Sequence, residues 1–190
     1  VARLTRTDVE EALARWNLSH DPSLDDALKD VEELTEEVVG WIVVSPDQVP
    51  KKGGWGEGVT ALVLGAGTVG PKLSSLAESG DPWLKAMTVA MLGKGQDRFF
   101  RIVEAIGRLR LDPIGAFHTP GSAGEMDLSV NSVIGSLLDV RSIGIEVQQD
   151  GGLSPSYSWI GIVPLGEGAK KVSFLCYRCP YSGSCPLRRE

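Results

Sequence analysis

A chain of 190 residues, 42% of them hydrophobic, can bury roughly 70% of the surface its unfolded form exposes, so one compact domain, or two tightly packed lobes, is expected without staples. The net charge of −6, with no basic stripe, excludes nucleic acid as the main partner, because phosphate binding needs clustered Lys and Arg. No apolar run reaches the roughly 18 residues of a membrane span, and residues 1–6 hold no apolar signal core, so a soluble cytoplasmic protein with no membrane partner is expected.

The first element reads as a helix from Thr7, with Glu10 completing a capping box and Val9, Leu13 and Trp16 on one face. Residues 17–22 break it. Ser23 then caps a longer helix in which Leu24, Ala27, Leu28, Val31, Leu34 and Val38 recur at helical spacing, and Gly40 closes it. The pair forms a helical N-terminal hairpin over residues 1–40, packed on the main domain. Its acidic face reads as solvated surface or as a docking face for another protein.

Residues 41–45 form a short buried strand, and the Pro-, Gly- and Lys-containing stretch 46–57 is a loop. A second apolar strand, 59–64, runs into Gly65-Ala66-Gly67-Thr68-Val69-Gly70, a literal Gly-x-Gly-x-x-Gly. That fingerprint serves dinucleotides when a second parallel strand follows with an acidic residue about 20 positions on. Here helical patterns follow instead. Asp81-Pro82 opens one through Met91, and 94–111 reads as helix again, with Phe99, Ile102, Val103, Ile106 and Leu109 on one side. Nucleotide binding at Gly65 to Gly70 therefore ranks last among the readings, behind a close turn or backbone N–H groups offered to some other ligand.

Residues 112–121 are extended and end in a turn. Asp127 caps a helix that turns Val130, Val133, Ile134, Leu137 and Leu138 inward. Ile143, Ile145 and Val147 alternate as a strand, Asp150-Gly151-Gly152 turns the chain, and the apolar run 157–163 returns as its antiparallel partner.

All three cysteines fall at the end, as C-x2-C-x5-C at Cys176, Cys179 and Cys185, among Pro, Gly and Ser. Thiolates on such tight turns can converge on one ion, so the stretch 176–190 reads as a clasp for an iron–sulfur cluster or zinc, or else as free or disulfide-bonded thiols. A fourth cysteine is absent from the sequence. His20 and His118 are the remaining soft candidates, unless another subunit of a homo-oligomer supplies the ligand.

The order of these pieces resembles the activation domain of vitamin B12-dependent methionine synthase, in particular its short stand-alone relatives. Arg15-Trp16-Asn17-Leu18 stands where that family has Arg-Tyr-Leu-Gly. Thr119-Pro120-Gly121-Ser122, followed by the helix to Val140, stands for its Ser-Pro-Gly-Tyr turn and amphipathic helix. Ile143-Gly144-Ile145 matches its Ile-Gly-Val strand. Residues 155–164 take the place of Pro-x-Lys-Ser-Val-Ser-Gly-Ile-Ile-Gly, and Cys176, Cys179, Cys185, Pro186 and Arg188 fit a C-x2-C…C-P-x-Arg tail.

The resemblance implies an α+β fold: a twisted antiparallel sheet flanked by helices, over 41–175. It implies a partner that is a corrinoid-binding protein or methyltransferase, since the chain lacks an Asp-x-His-x-x-Gly segment to ligate cobalt itself. The implied function is accessory: reductive reactivation of a partner-bound cobalamin, with S-adenosylmethionine as methyl donor and the cysteine tail as an electron or metal site. The alternative is a non-catalytic binding module of the same fold. The implied cofactor-binding residues are His118, Thr119, Pro120, Gly121 and Ser122 at the turn, with Ser158 and Gly161 on the last strand. Phe117 and Ser122 stand where the methionine-synthase branch has Arg and Tyr, and Tyr157 where it has Lys. Weak or absent adenosylmethionine binding follows.

Overall fold

The computed structural model describes residues 3–79, 81–121 and 126–169. The architecture is α+β. Helices α1 (Arg6–Trp16) and α2 (Pro22–Leu34) lead into strand β1 (Val38–Val44), then β2 (Ala61–Thr68), α3 (Pro71–Glu78), α4 (Pro82–Arg110) and α5 (Val130–Leu138). A small hairpin, β3 (Glu146–Val147) with β4 (Leu153–Ser154), and the long strand β5 (Ser158–Leu165) close the chain. The main sheet has the order β1-β2-β5 and is antiparallel throughout, pairing Trp41 with Gly65 and Gly65 with Gly161.

Alternation of side chains along the strands gives the sheet two apolar faces, and each has its own core. On one face Val63, Trp159 and Val163 meet Met87, Met91, Phe99 and Val103 of α4, and the layer continues through Leu13, Leu24 and Val31 of α1 and α2. On the other, Leu62, Leu64, Ile160 and Ile162 meet Val130 and Ile134 of α5, together with Val140 and Ile145. The helical pair therefore packs on α4, as an outer layer beyond it.

Helix α1 starts two residues earlier than the spacing suggests. Thr5, rather than Thr7, is the N-cap, and its reciprocal partner is Asp8 rather than Glu10. The Asp8 amide donates to Thr5 Oγ1 at 3.3 Å while Asp8 Oδ2 accepts from the Thr5 amide at 2.6 Å. The same oxygen lies 2.6 Å from Lys94 Nζ, which ties α1 to α4. Burial by itself would raise the Asp8 carboxyl, but the bonds from Lys94 and Thr5 outweigh it and hold the group below its ordinary value. A depressed carboxyl stabilises the fold above the unfolded value, near pH 4, and that contribution is lost as pH falls through the folded value. Asp8→Asn keeps the Thr5 cap but loses the ion pair with Lys94, so it should cost about 0.5–1 kcal/mol near pH 7, and the gap to the parent should narrow below about pH 4. Urea titrations at both pH values check this; an equal gap at each would remove the carboxylate charge from the account.

Other boundaries are also shifted, for local reasons. Asp21 rather than Ser23 caps α2, accepting from the Ser23 amide at 3.0 Å, with Pro22 in the first turn where its missing N–H costs nothing. The helix ends at Leu34, so Val38 and Gly40 belong to β1: the β-branched Val38 and Val39 continue the apolar spacing but join the sheet. The two helical patterns after Asp81 are one helix of 29 residues, capped by the Asp81 carboxylate. Leu109, read as inward-facing, is 86% exposed near the end of that helix. Helix α5 is capped at Ser129, whose amide donates to Asp127 Oδ1 at 2.8 Å, and Val133 faces outward. Ile143 closes a 3-10 turn, Val140–Ile143, rather than lying in a strand. The hairpin forms between β3 and β4, while β5 pairs with β2.

The glycine fingerprint is strand, not loop. Gly65 and Gly67 lie inside β2, which is antiparallel to both neighbours, so no dinucleotide turn forms there. Only Gly70, at φ 91°, sits in the left-handed region, as the residue before α3. A Cβ on Gly65 would lie 2.4 Å from Phe99 Cε2, and one on Gly67 would lie 2.7 Å from Trp159 Nε1. These glycines are sockets for aromatic rings.

Candidate functional site

The predicted ligand turn lies at the β5 edge of the main sheet. Segment 113–118 runs beside β5: Gly115 N donates to Pro164 O at 2.8 Å, His118 N to Ile162 O at 2.8 Å, and Ile162 N back to His118 O at 2.9 Å. The pairing fixes the height of His118 on the sheet. Its side chain turns to the α5 face, where the ring is buried and meets Trp55 edge-on, with centroids 5.5 Å apart at 89°. Trp55 is itself held by its indole N–H, which donates to Val49 O at 2.8 Å, and Lys51 Nζ stands 5.0 Å over its ring.

After His118 the chain turns. Thr119 is half-buried and Pro120 buried. Gly121 adopts φ 80°, and its N–H donates to Met126 O at 3.0 Å. A Cβ there would be strained by backbone conformation and would also meet Leu128 Cδ1 at 3.0 Å. Gly121 is thus required by the turn itself. Ser122 lies outside the described residues, as do Cys176, Cys179 and Cys185.

The two predicted residues of β5 do not join this turn as one pocket. Gly161 faces α4, and the Phe117 ring fills the place of a side chain there, with Cε2 2.0 Å from where a Cβ would stand. Ser158 does share the α5 face with His118, by strand alternation, but it sits four positions from Ile162, about 13 Å along the strand. Its hydroxyl oxygen is buried and has no hydrogen-bond partner. The structure therefore brings together His118, Thr119, Pro120 and Gly121, and leaves Gly161 and Ser158 apart from them.

Two further residues matter locally. Trp55 forms the wall against His118; its signal was a single aromatic among the glycines and lysines of residues 51–58. Glu37, just before β1, is the other: its side chain is 3% exposed, neither carboxylate oxygen is hydrogen-bonded, and Arg98 Nη1 stands 3.7 Å from Oε2. Gly95 of α4 lies beside it, where a Cβ would stand 3.3 Å from Glu37 Oε1, a tight approach. Arg98 of α4 faces the residue before β1 across a loose contact, and the cost of burying the carboxylate offsets much of its attraction. Tyr157, which stands where the resemblance expects Lys, has its hydroxyl pushed up by burial and then by the charge of Glu78.

A separate open cleft of 640 Å³ lies between α1 and α2, with Leu4, Val9, Leu13, Leu24 and Leu28 on its floor and His20 among its polar rim. None of the predicted cofactor residues that the structure describes lines it. Among the described residues no group of three His, Cys, Asp or Glu side chains converges as a metal site, and no helix is long and apolar enough to cross a membrane. No protein-family model matches the chain, and no curated protein matches it.

Proposed function

We propose that the chain is an accessory protein of corrinoid-dependent methyl transfer, acting on a cobalamin held by a partner protein through reductive reactivation. What supports the reading is the sequence resemblance, together with one observation: segments 117–121 and 158–164, distant in sequence and both part of that resemblance, are hydrogen-bonded side by side through His118 and Ile162. The turn presents Thr119 and the Gly121 backbone at the sheet edge for a docked partner. The cysteines of the tail would supply the electron or metal site, and soft thiolates suit either an iron–sulfur cluster or zinc.

A second reading is favoured by the packing at Gly161. Phe117 occupies the space over that glycine, so Gly161 offers no open backbone there for a ligand to approach. On this reading the chain is a binding module that docks on a corrinoid protein, with a structural metal or free thiols in the tail.

The deciding experiment is anaerobic purification of the full chain with assay of iron, sulfide and zinc, followed by cob(II)alamin reduction on an added corrinoid protein. An activator contains stoichiometric iron and sulfide, loses both when Cys176, Cys179 and Cys185 are replaced by Ser, and speeds cobalt reduction. A colourless protein that binds the corrinoid protein and leaves the cobalt oxidation state unchanged is a binding module. Adenosylmethionine should bind weakly or not at all in calorimetric titration; micromolar affinity would overturn that expectation.

A further inference from the structure

The main sheet has two edges, and the chain treats them differently. Beyond β5, segment 113–118 lies alongside and meets its backbone groups, with Gly166 N also donating to Pro113 O at 2.9 Å. No segment among the described residues lies alongside the β1 edge in this way. Among the described residues the only strand partner of β1 is β2, and Val38, Trp41 and Ile42 remain 39%, 48% and 37% exposed. Free strand edges in natural proteins are blunted by Lys, Pro, a bulge or brevity. Val38–Val44, seven residues of VVGWIVV paired with β2 in unbroken register, has none of these devices.

We propose that β1 pairs with β1 of a second copy of the chain, antiparallel about a two-fold axis at Trp41, so that two three-stranded sheets join into one. The occupant is a second copy because the strand is complementary to itself in this register. Around the axis, Val38 faces Val44, Val39 faces Val43 and Trp41 faces its own mate, all apolar, and no charged residue of the strand meets another. Gly40 faces Ile42, so the smallest residue stands opposite the branched one. Ile143, whose Cδ1 lies 3.3 Å from where a Gly40 Cβ would be, extends the apolar surface that the incoming Ile42 meets. Every pair in this register joins residues of the same parity, so the outward N–H and C=O groups of the two strands coincide whichever set β2 leaves free. A two-fold contact of this kind closes on itself and leaves no edge for further copies. The contact is one seven-residue strand edge and three partly exposed side chains, so a weak, concentration-dependent dimer is expected.

Sedimentation velocity on the full chain from about 1 to 200 μM tests this. The parent should pass from monomer to dimer across that range. Trp41→Lys places two like charges face to face at the axis and should weaken the dimer at least tenfold. Leu111→Lys, at a 90% exposed position at the end of α4, should leave it unchanged. Ile42→Lys serves as a second probe where Trp41→Lys lowers the yield of folded protein. Hydrogen exchange locates the contact without any variant: amides of residues 38–44 should gain protection as concentration rises. A monomer at 200 μM, a dimer indifferent to both lysines, or β1 amides whose exchange ignores concentration would each overturn the proposal.

Discussion

Phe99→Ala should destabilise the protein by about 3–5 kcal/mol, a large share of the roughly 5–15 kcal/mol that holds a domain of this kind together. The ring is fully buried at the crossing of α4 and the main sheet. It stands 5.4 Å from the Trp159 centroid, 6.0 Å from Phe100 and 6.2 Å from Phe117, at tilted or edge-on angles that suit aromatic pairs. Below it lies Gly65, so the ring reaches the sheet backbone itself. Removing it leaves a cavity that α4 cannot collapse into, because the helix is held along its length by Met87, Met91 and Val103. Urea unfolding should show a lower midpoint with an unchanged slope. Leu109→Ala, on the same helix but exposed, should stay within about 0.5 kcal/mol of the parent. A Phe99→Ala loss below about 1 kcal/mol would mean that the aromatic cluster is not the centre of this core.

That cluster also explains where the sequence was readable and where it was not. Cap chemistry and helical periodicity are local, so Asp81 and Pro82 announce α4, whereas the α+β class, which the structure shows, is expected from the family resemblance. Ambiguity arises where two local solutions compete. Thr5 and Thr7 can each open α1, and the reciprocal bonds of Thr5 with Asp8, whose carboxylate Lys94 also meets, favour the first. Gly93 and Gly95 look like a break between two helices, yet the helix continues through them; a Cβ would meet nothing at Gly93 and be tight only against Glu37 Oε1 at Gly95. The turn at Gly121 is legible because a left-handed backbone needs glycine there. Its neighbours in space are not legible: which strand lies beside His118 depends on long-range pairing, and a period-2 pattern does not name its partner. The hairpin expected between 143–147 and 157–163 failed for the same reason.

Glycine itself carries two messages that a sequence cannot separate. Gly-x-Gly-x-x-Gly at residues 65–70 suggests a loop that cradles phosphate, but its first two glycines have ordinary strand conformation and serve packing. Gly65 pairs with Gly161 across the strands, and the two form a bare patch of sheet on which Phe99 and Phe117 rest. The signal for this reading is the pair of rings, which arrive from α4 and from the segment before the turn.

Gly65→Ala tests the reading with a change of sign. In the parent, the new methyl would stand 2.4, 2.6 and 2.7 Å from Cε2, Cδ2 and Cζ of Phe99, and that ring has no room to move between Phe100, Phe117 and Trp159. Overpacking of this kind costs about 1–3 kcal/mol even after the modest gain from removing a glycine from a strand. In a Phe99→Ala background the obstacle is gone, so the same substitution should become neutral or stabilising by about 0.5–1 kcal/mol, through reduced freedom of the unfolded chain. The difference between the two backgrounds is the coupling between the residues, and a double-mutant cycle in urea reads it directly. Where Phe99→Ala leaves too little native protein, Phe99→Leu should show the same trend at smaller amplitude. If Gly65→Ala costs the same in both backgrounds, the glycine is required for something other than the ring, and a ligand approaching the backbone of β2 becomes the better account.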